Sequence, residues 1–201
     1  MNRTLLIILS IVGVFFLLAL GIFLWGMGAY NSMVKADEGI NGAWSQVENQ
    51  YQRRFDLIPN LVNTVKGYAE HEKEVLEQVA DARARVGSVQ ATKEVVNDPQ
   101  LFQKFQQAQS GLSSALSRLL AVSENYPNLK ADASFLQLQA QLEGTENRIA
   151  VERKRFNEIV QEYNTRIRTF PSSFIAGMFG FGQKQYFKSD TGAEKAPKVE
   201  F

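Results

Sequence analysis

Cysteine is absent from this chain and histidine occurs once, at His71. No disulfide framework can form, and no cysteine follows the N-terminal apolar run to carry a lipid, so a lipoprotein is excluded. The same two shortages remove the usual donors of a catalytic zinc centre. His71 and Glu72 begin like the zinc-protease pattern HExxH, but position 75 is Val and no second histidine exists. A serine triad would have to use His71 as its base, and no GxSxG elbow is present. Gly177, Gly180 and Gly182 match neither a Walker nor a dinucleotide pattern and follow no strand. Di-metal bundles use Glu-x-x-His pairs, which are missing, and Glu70, Glu72 and Glu74 spread around a helix instead of sharing one face. The chain is therefore expected to be no enzyme, with no catalytic or metal residues, no cofactor and no small-molecule substrate. An excess of either charge is lacking too. With 22 Lys and Arg against 21 Asp and Glu, neither a basic nucleic-acid surface, a polybasic lipid patch nor an acidic tail is implied.

Charge is missing altogether between Arg3 and Lys35, and residues 5–24 are almost wholly Leu, Ile, Val, Phe, Ala and Gly. At about 1.5 Å per residue, roughly 20 helical residues cross a hydrocarbon core of about 30 Å, so this stretch reads as a membrane span. A cleaved secretory signal would have a shorter apolar region, so retention of the anchor is expected despite the small pair Gly26 and Gly28. Arg3 and the terminal amine set against Lys35 favour a cytoplasmic N-terminus, which would place the bulk of the chain outside the cytoplasm.

Beyond the anchor the sequence predicts an all-α fold: an antiparallel bundle of about four long helices. Phe135, Leu138, Leu142, Thr145, Ile149, Glu152, Phe156, Ile159, Tyr163 and Phe170 fall on one stripe, predicting a helix over about 131–169 that Pro171 ends. Asp98 as cap and Pro99 in the first turn start an earlier helix, with Phe102, Phe105, Ala108, Leu112, Ala115, Leu119 and Val122 inward. Asn125, Tyr126 and Pro127 stop it, and so short a turn predicts antiparallel neighbours. In the first soluble stretch, Trp44, Val47, Tyr51, Phe55, Ile58, Val62 and Val65 keep a helical stripe across Pro59. Either the helix is kinked there, or it breaks and Asp56 caps a new one. Reversal near Gly67 would start a further helix carrying Val75, Leu76, Val79, Ala82 and Val86, with 87–97 a loop or frayed end. Runs of about 60, 26, 40 and 58 Å would then bring the chain back toward the membrane, whereas one unbroken helix to Val86 would leave its end on the order of 100 Å away.

The resulting segments are 1–28, the transmembrane anchor; 29–170, the bundle; 171–187, an aromatic and glycine-rich foot; and 188–201, a disordered tail. In the foot, Phe174, Ile175, Met178, Phe179 and Phe181 are candidates for membrane or subunit contact. The plainer alternative is that this whole segment, which also holds Tyr186 and Phe187, is a tail folding back on the bundle. Two polar clusters interrupt the stripes: Arg53, Arg54, Asp56, Asn60 and Asn63 around Pro59, and Glu146, Asn147, Arg148, Glu152, Arg153 and Arg155 in the last helix. If they meet, Asp56 and Glu152 would accept forked guanidinium hydrogen bonds that fix register. Otherwise Tyr51, Arg53, Arg54, Phe55, Asp56 and Asn60 form a docking surface anchored on Tyr51 and Phe55.

The strings RRFDLIPNLV and NYPNLKA, with YNSMV, AWSQVENQYQ and RFNEIVQEYNTRIRTFPSSFIAGMFGF, resemble the bacterial LemA family over about residues 30–187. The resemblance implies an anchored antiparallel helical bundle with no assigned enzymatic activity. Together with the apolar run and the charge balance around it, this leads to the expectation of a single-pass protein of the bacterial cell (inner) membrane with a largely periplasmic bulk. Two functional expectations follow. One is a membrane-anchored scaffold or adaptor that self-assembles or recruits other membrane proteins. The other is a membrane-shaping or envelope-maintenance protein, with regulation of a membrane protease as a further option. The partners expected are the lipid bilayer, copies of the same chain and other membrane proteins, and no nucleic acid.

Overall fold

The computed structural model describes residues 3–69, 71–89 and 93–188, with the side chains of 3–5 and 93 left aside. The proposed tail over 189–201 and Glu70 of the acidic triplet lie outside the described residues. Every described element is helical: α1 Arg3–Tyr68, α2 Lys73–Ser88, α3 Lys93–Asn97, α4 Pro99–Ser123, α5 Pro127–Lys130, α6 Ala133–Arg168 and α7 Ser172–Phe179. The all-α expectation holds, with α1, α2, α4 and α6 as the four long helices.

Among the described helices only α1 is long and apolar enough to cross a membrane, and protein buries none of its apolar stretch. An all-round apolar helix with side chains such as Phe15, Leu17 and Ile22 about two-thirds exposed needs a non-aqueous surrounding. This fits a single-pass membrane protein.

The described residues fall into two compact units: one takes the chain up to Ile40 together with Gln161–Gln183, the other Asn41–Val160 together with the chain from Lys184 onward. In the second unit, α1 passes through Pro59 without a break. A proline has no N–H to give the carbonyl four residues back, here that of Phe55. Arg83 Nε of α2 donates to that oxygen at 3.4 Å, and its guanidinium lies 3.8 Å from the centre of the Phe55 ring. The continuous helix leaves Asp56 no capping role; its carboxylate accepts from Gln52 Nε2 at 2.8 Å on the exposed face.

The helix does end at Tyr68, as Gly67 suggested, and α2 begins at Lys73. The expected loop over 87–97 is partly helical. α2 persists to Ser88, and α3 forms because Val95 and Val96 bury against α4, an apolar pair that a periodicity search over longer windows passes over. Asp98 caps α4 as expected, its Oδ1 accepting from the amides of Gln100 at 2.7 Å and Leu101 at 3.2 Å. Asp132 does the same for α6, accepting from the Phe135 amide at 2.9 Å.

One apolar core runs from Ile58, Leu61 and Val65 through Val79, Leu112, Leu116 and Leu119 to Phe135 and Leu142. A second, aromatic part centres on Trp44, whose ring lies 5.2 Å from Phe105, 5.6 Å from Phe156 and 6.0 Å from Phe187. Phe187 enters this cluster because its amide and carbonyl both bond the Asn157 side chain, at 2.8 and 2.9 Å. Arg153 covers its ring at 4.8 Å and donates to the Lys188 carbonyl at 2.9 Å. Phe187 thus folds back on the bundle, unlike the exposed aromatics before it.

Candidate functional site

The polar residues on the inward stripes converge on Arg54. Its guanidinium is buried and donates through Nη1 to Ser113 Oγ at 2.8 Å and Glu146 Oε1 at 2.6 Å. Through Nη2 it reaches the Gln109 side-chain oxygen, and the Gln109 carbonyl at 3.4 Å. Three helices, α1, α4 and α6, are cross-linked by one side chain. The expected crossing of the two polar clusters is real, but its members differ: Glu146 receives the guanidinium, while Asp56 faces outward and Glu152 Oε2 is buried with no hydrogen bond among the described residues. Register explains the difference. Arg54 lies on the same helical face as Tyr51, Ile58 and Leu61, and Asp56 lies off it. Gln109 had a sequence signal, a polar residue on the stripe between Phe105 and Leu112, while Ser113 had none.

The candidate docking surface therefore divides. Tyr51 and Arg54 are interior; Tyr51 stacks edge-on against Phe105 with ring centres 5.2 Å apart. Phe55 is half-buried under Arg83, and Arg53, Asp56 and Asn60 are exposed. A cavity of about 220 Å³ beside the network is lined by Arg54, Gln109, Ser113, Glu146 and Arg153. Among the described residues no group of three or more His, Asp or Glu gathers as a metal site.

At one end of the bundle, Tyr68 donates to Asp132 at 3.0 Å and Tyr126 to Glu72 at 2.9 Å. The Phe135 amide and the Tyr68 hydroxyl hold the Asp132 carboxyl below its usual range. The carboxylate acceptors raise both tyrosines, whose hydroxyls must keep their protons to donate.

In the first unit, the end of α6 and all of α7 form a hairpin against α1. Arg166 donates to the Ser32 carbonyl at 3.2 Å and to its hydroxyl, and pairs with Glu162 at 2.8 Å. Buried Met33, Ile40, Tyr163 and Ile167 form the contact, and burial together with the charge of Asp37 pushes the Tyr163 hydroxyl up to about 12. After the turn at Phe170 and Pro171, α7 runs back beside α1. A Cβ on Gly26 would sit 3.7 Å from Ile175 Cδ1, and the Tyr30 ring centre lies 4.7 Å from Phe179 and 5.7 Å from Phe181. Gly180, at φ 76°, ends α7 in the left-handed conformation that suits glycine, and lets the Phe181 amide close on the Ala176 carbonyl at 2.9 Å. Of the predicted foot residues, Ile175 and Phe181 are half-buried, while Phe174, Met178 and Phe179 are exposed. Phe170, placed on the inward stripe by periodicity, is 75 % exposed because α6 ends two residues earlier, at Arg168.

Comparison with known proteins gives a match to the model of the LemA family over residues 43–201. The magnetosome protein MamQ of Magnetospirillum gryphiswaldense is 28 % identical over 176 residues, covering 79 % of this chain and 64 % of its own length. Magnetosome protein MamQ 1 of Paramagnetospirillum magneticum gives the same identity and shares over 177 residues. Protein LemA of Metamycoplasma hominis is 25 % identical over 163 residues, with 81 % and 70 % covered. The chain thus spans about 64 % of the length of the MamQ relatives it matches.

Proposed function

This chain belongs to the LemA family, and from that premise we propose that it is a non-enzymatic, membrane-anchored scaffold that self-assembles or recruits other proteins at the bacterial cell membrane. One observation carries the reading: the helix that supplies the apolar span also supplies the inward stripe from Trp44 to Val65. A bundle built on its own anchor is confined to the bilayer surface, where reduced diffusion raises the effective concentration of anything it holds. Arg54 spends its guanidinium on cross-linking α1, α4 and α6, and this reading assigns the means of action to surface contacts. In this reading the bulk of the chain lies outside the cytoplasm.

The test is the native mass of the full-length protein extracted in lipid nanoparticles, with co-purifying chains identified. A homo-oligomer, or a defined complex with another membrane protein such as a protease, is expected; a monodisperse monomer without partners would overturn the proposal. Membrane shaping is the second reading, favoured by the exposed aromatic end of the α6–α7 hairpin. It predicts that the full-length protein deforms liposomes and that replacing the exposed Phe174, Met178 and Phe179 by Ser abolishes the effect.

A further inference from the structure

We propose that the tip of the α6–α7 hairpin is a lipid wedge: Phe170 and Phe174, backed by Met178, enter the headgroup and upper acyl layer of the leaflet from which α1 emerges. The contacts along α1 fix the height of the tip. Arg166 of the descending α6 meets Ser32, while Ile175 and Phe179 of the returning α7 meet Gly26 and Tyr30. The turn between them, residues 168–174, therefore sits beside α1 at about the level of Trp25 to Gly28. A hydrocarbon core filled by residues 5–24 ends there, and the polar layer beyond it is roughly 5 to 8 Å thick, or about three to five helical residues. Trp25, 43 % exposed, marks the same level with the aromatic type that favours this boundary.

The chemistry of the tip matches that layer. Phe170, Phe174 and Met178 are 75, 70 and 75 % exposed, and the first two rings pack edge-on with centres 6.0 Å apart. Residues 169–183 contain no charge, and the exposed Arg168 just before them offers a guanidinium to lipid phosphate. In water this patch would cost free energy on every apolar face; at the boundary it has a partner continuous with the one that already surrounds the span. The occupant is thus the phospholipid bilayer. This inference depends on the span and the hairpin alone and stands whether or not the chain acts as a scaffold.

The absence of cysteine makes the test direct. Full-length Phe170→Cys, Phe174→Cys and Met178→Cys proteins, each carrying an environment-sensitive fluorophore, are placed in nanodiscs of phosphatidylcholine and phosphatidylglycerol. These side chains point away from the packed interior, so helical content by circular dichroism should equal that of the unsubstituted protein. The wedge predicts quenching severalfold stronger by a nitroxide in the upper acyl chain than by aqueous iodide, as for a control label at Leu18. Strong iodide quenching with none from the lipid nitroxide would overturn the proposal. Protection from both quenchers would overturn it as well, because the patch would then be covered by protein.

Discussion

Arg54 shows how one residue can be read rightly as polar and wrongly as available. Its side chain is 2 % exposed and that of its partner Glu146 is 40 % exposed, so the pair is buried at one end and wet at the other. Removing the guanidinium leaves the Gln109 side chain buried without its donor and opens a void, whereas removing the charge of Glu146 leaves a group that water reaches. Arg54→Ala should therefore cost about 3 kcal/mol in denaturant unfolding, and Glu146→Gln less than about 1.5 kcal/mol. Equal losses would mean that the ion pair, and not the desolvated guanidinium, holds the helices in register. Asp132 adds a pH signature. Its folded carboxyl is held below the unfolded value, so its contribution is present above the ordinary carboxylate range and lost as pH falls through the lower folded value. Melting temperature should fall on acidification below about pH 4, and Asp132→Asn should make that fall shallower.

At the scale of elements, the sequence was most legible where a cap or a stop has its own local chemistry. Asp98 with Pro99 and the Asn125 to Pro127 stop bound α4 as read, because those residues bond or restrict their immediate neighbours. Pro59 was ambiguous because its consequence depends on a distant partner. The carbonyl it frees is answered by Arg83 from another helix, which no local pattern announces. The contrast is testable: Asp98→Ala should cost about 1 kcal/mol and Asp56→Ala close to nothing, by thermal or urea unfolding. A loss at Asp56 equal to that at Asp98 would restore the broken-helix reading. Phe170 went astray because periodicity assumes that a helix continues, and it lies past the end of α6. For Phe187 the sequence left foot and folded-back tail open, and Asn157, which draws it into the core outside any helix, is a partner that no local pattern announces.

At the scale of the whole molecule, the long apolar helix and the all-α class were legible because composition and a 3.6-residue period carry both, whereas the Arg54 network and the hairpin depend on which helices meet. The inward stripe makes Phe156→Ala a loss of roughly 3 to 5 kcal/mol and leaves the exposed Glu94→Ala within about 0.5 kcal/mol of the original, by the same unfolding measurement. The aromatic cluster has a consequence of another kind. The chain has two tryptophans: Trp44 is fully enclosed by phenylalanine rings, with an indole N–H that meets no acceptor among the described residues, and Trp25 stands at the end of the span. Each is thus a native optical reporter for a different solvent. Trp44 should emit at short wavelength and shift to the red when the bundle melts, while Trp25 should respond to brominated lipid and ignore that transition, so a single emission spectrum separates unfolding from release by the membrane.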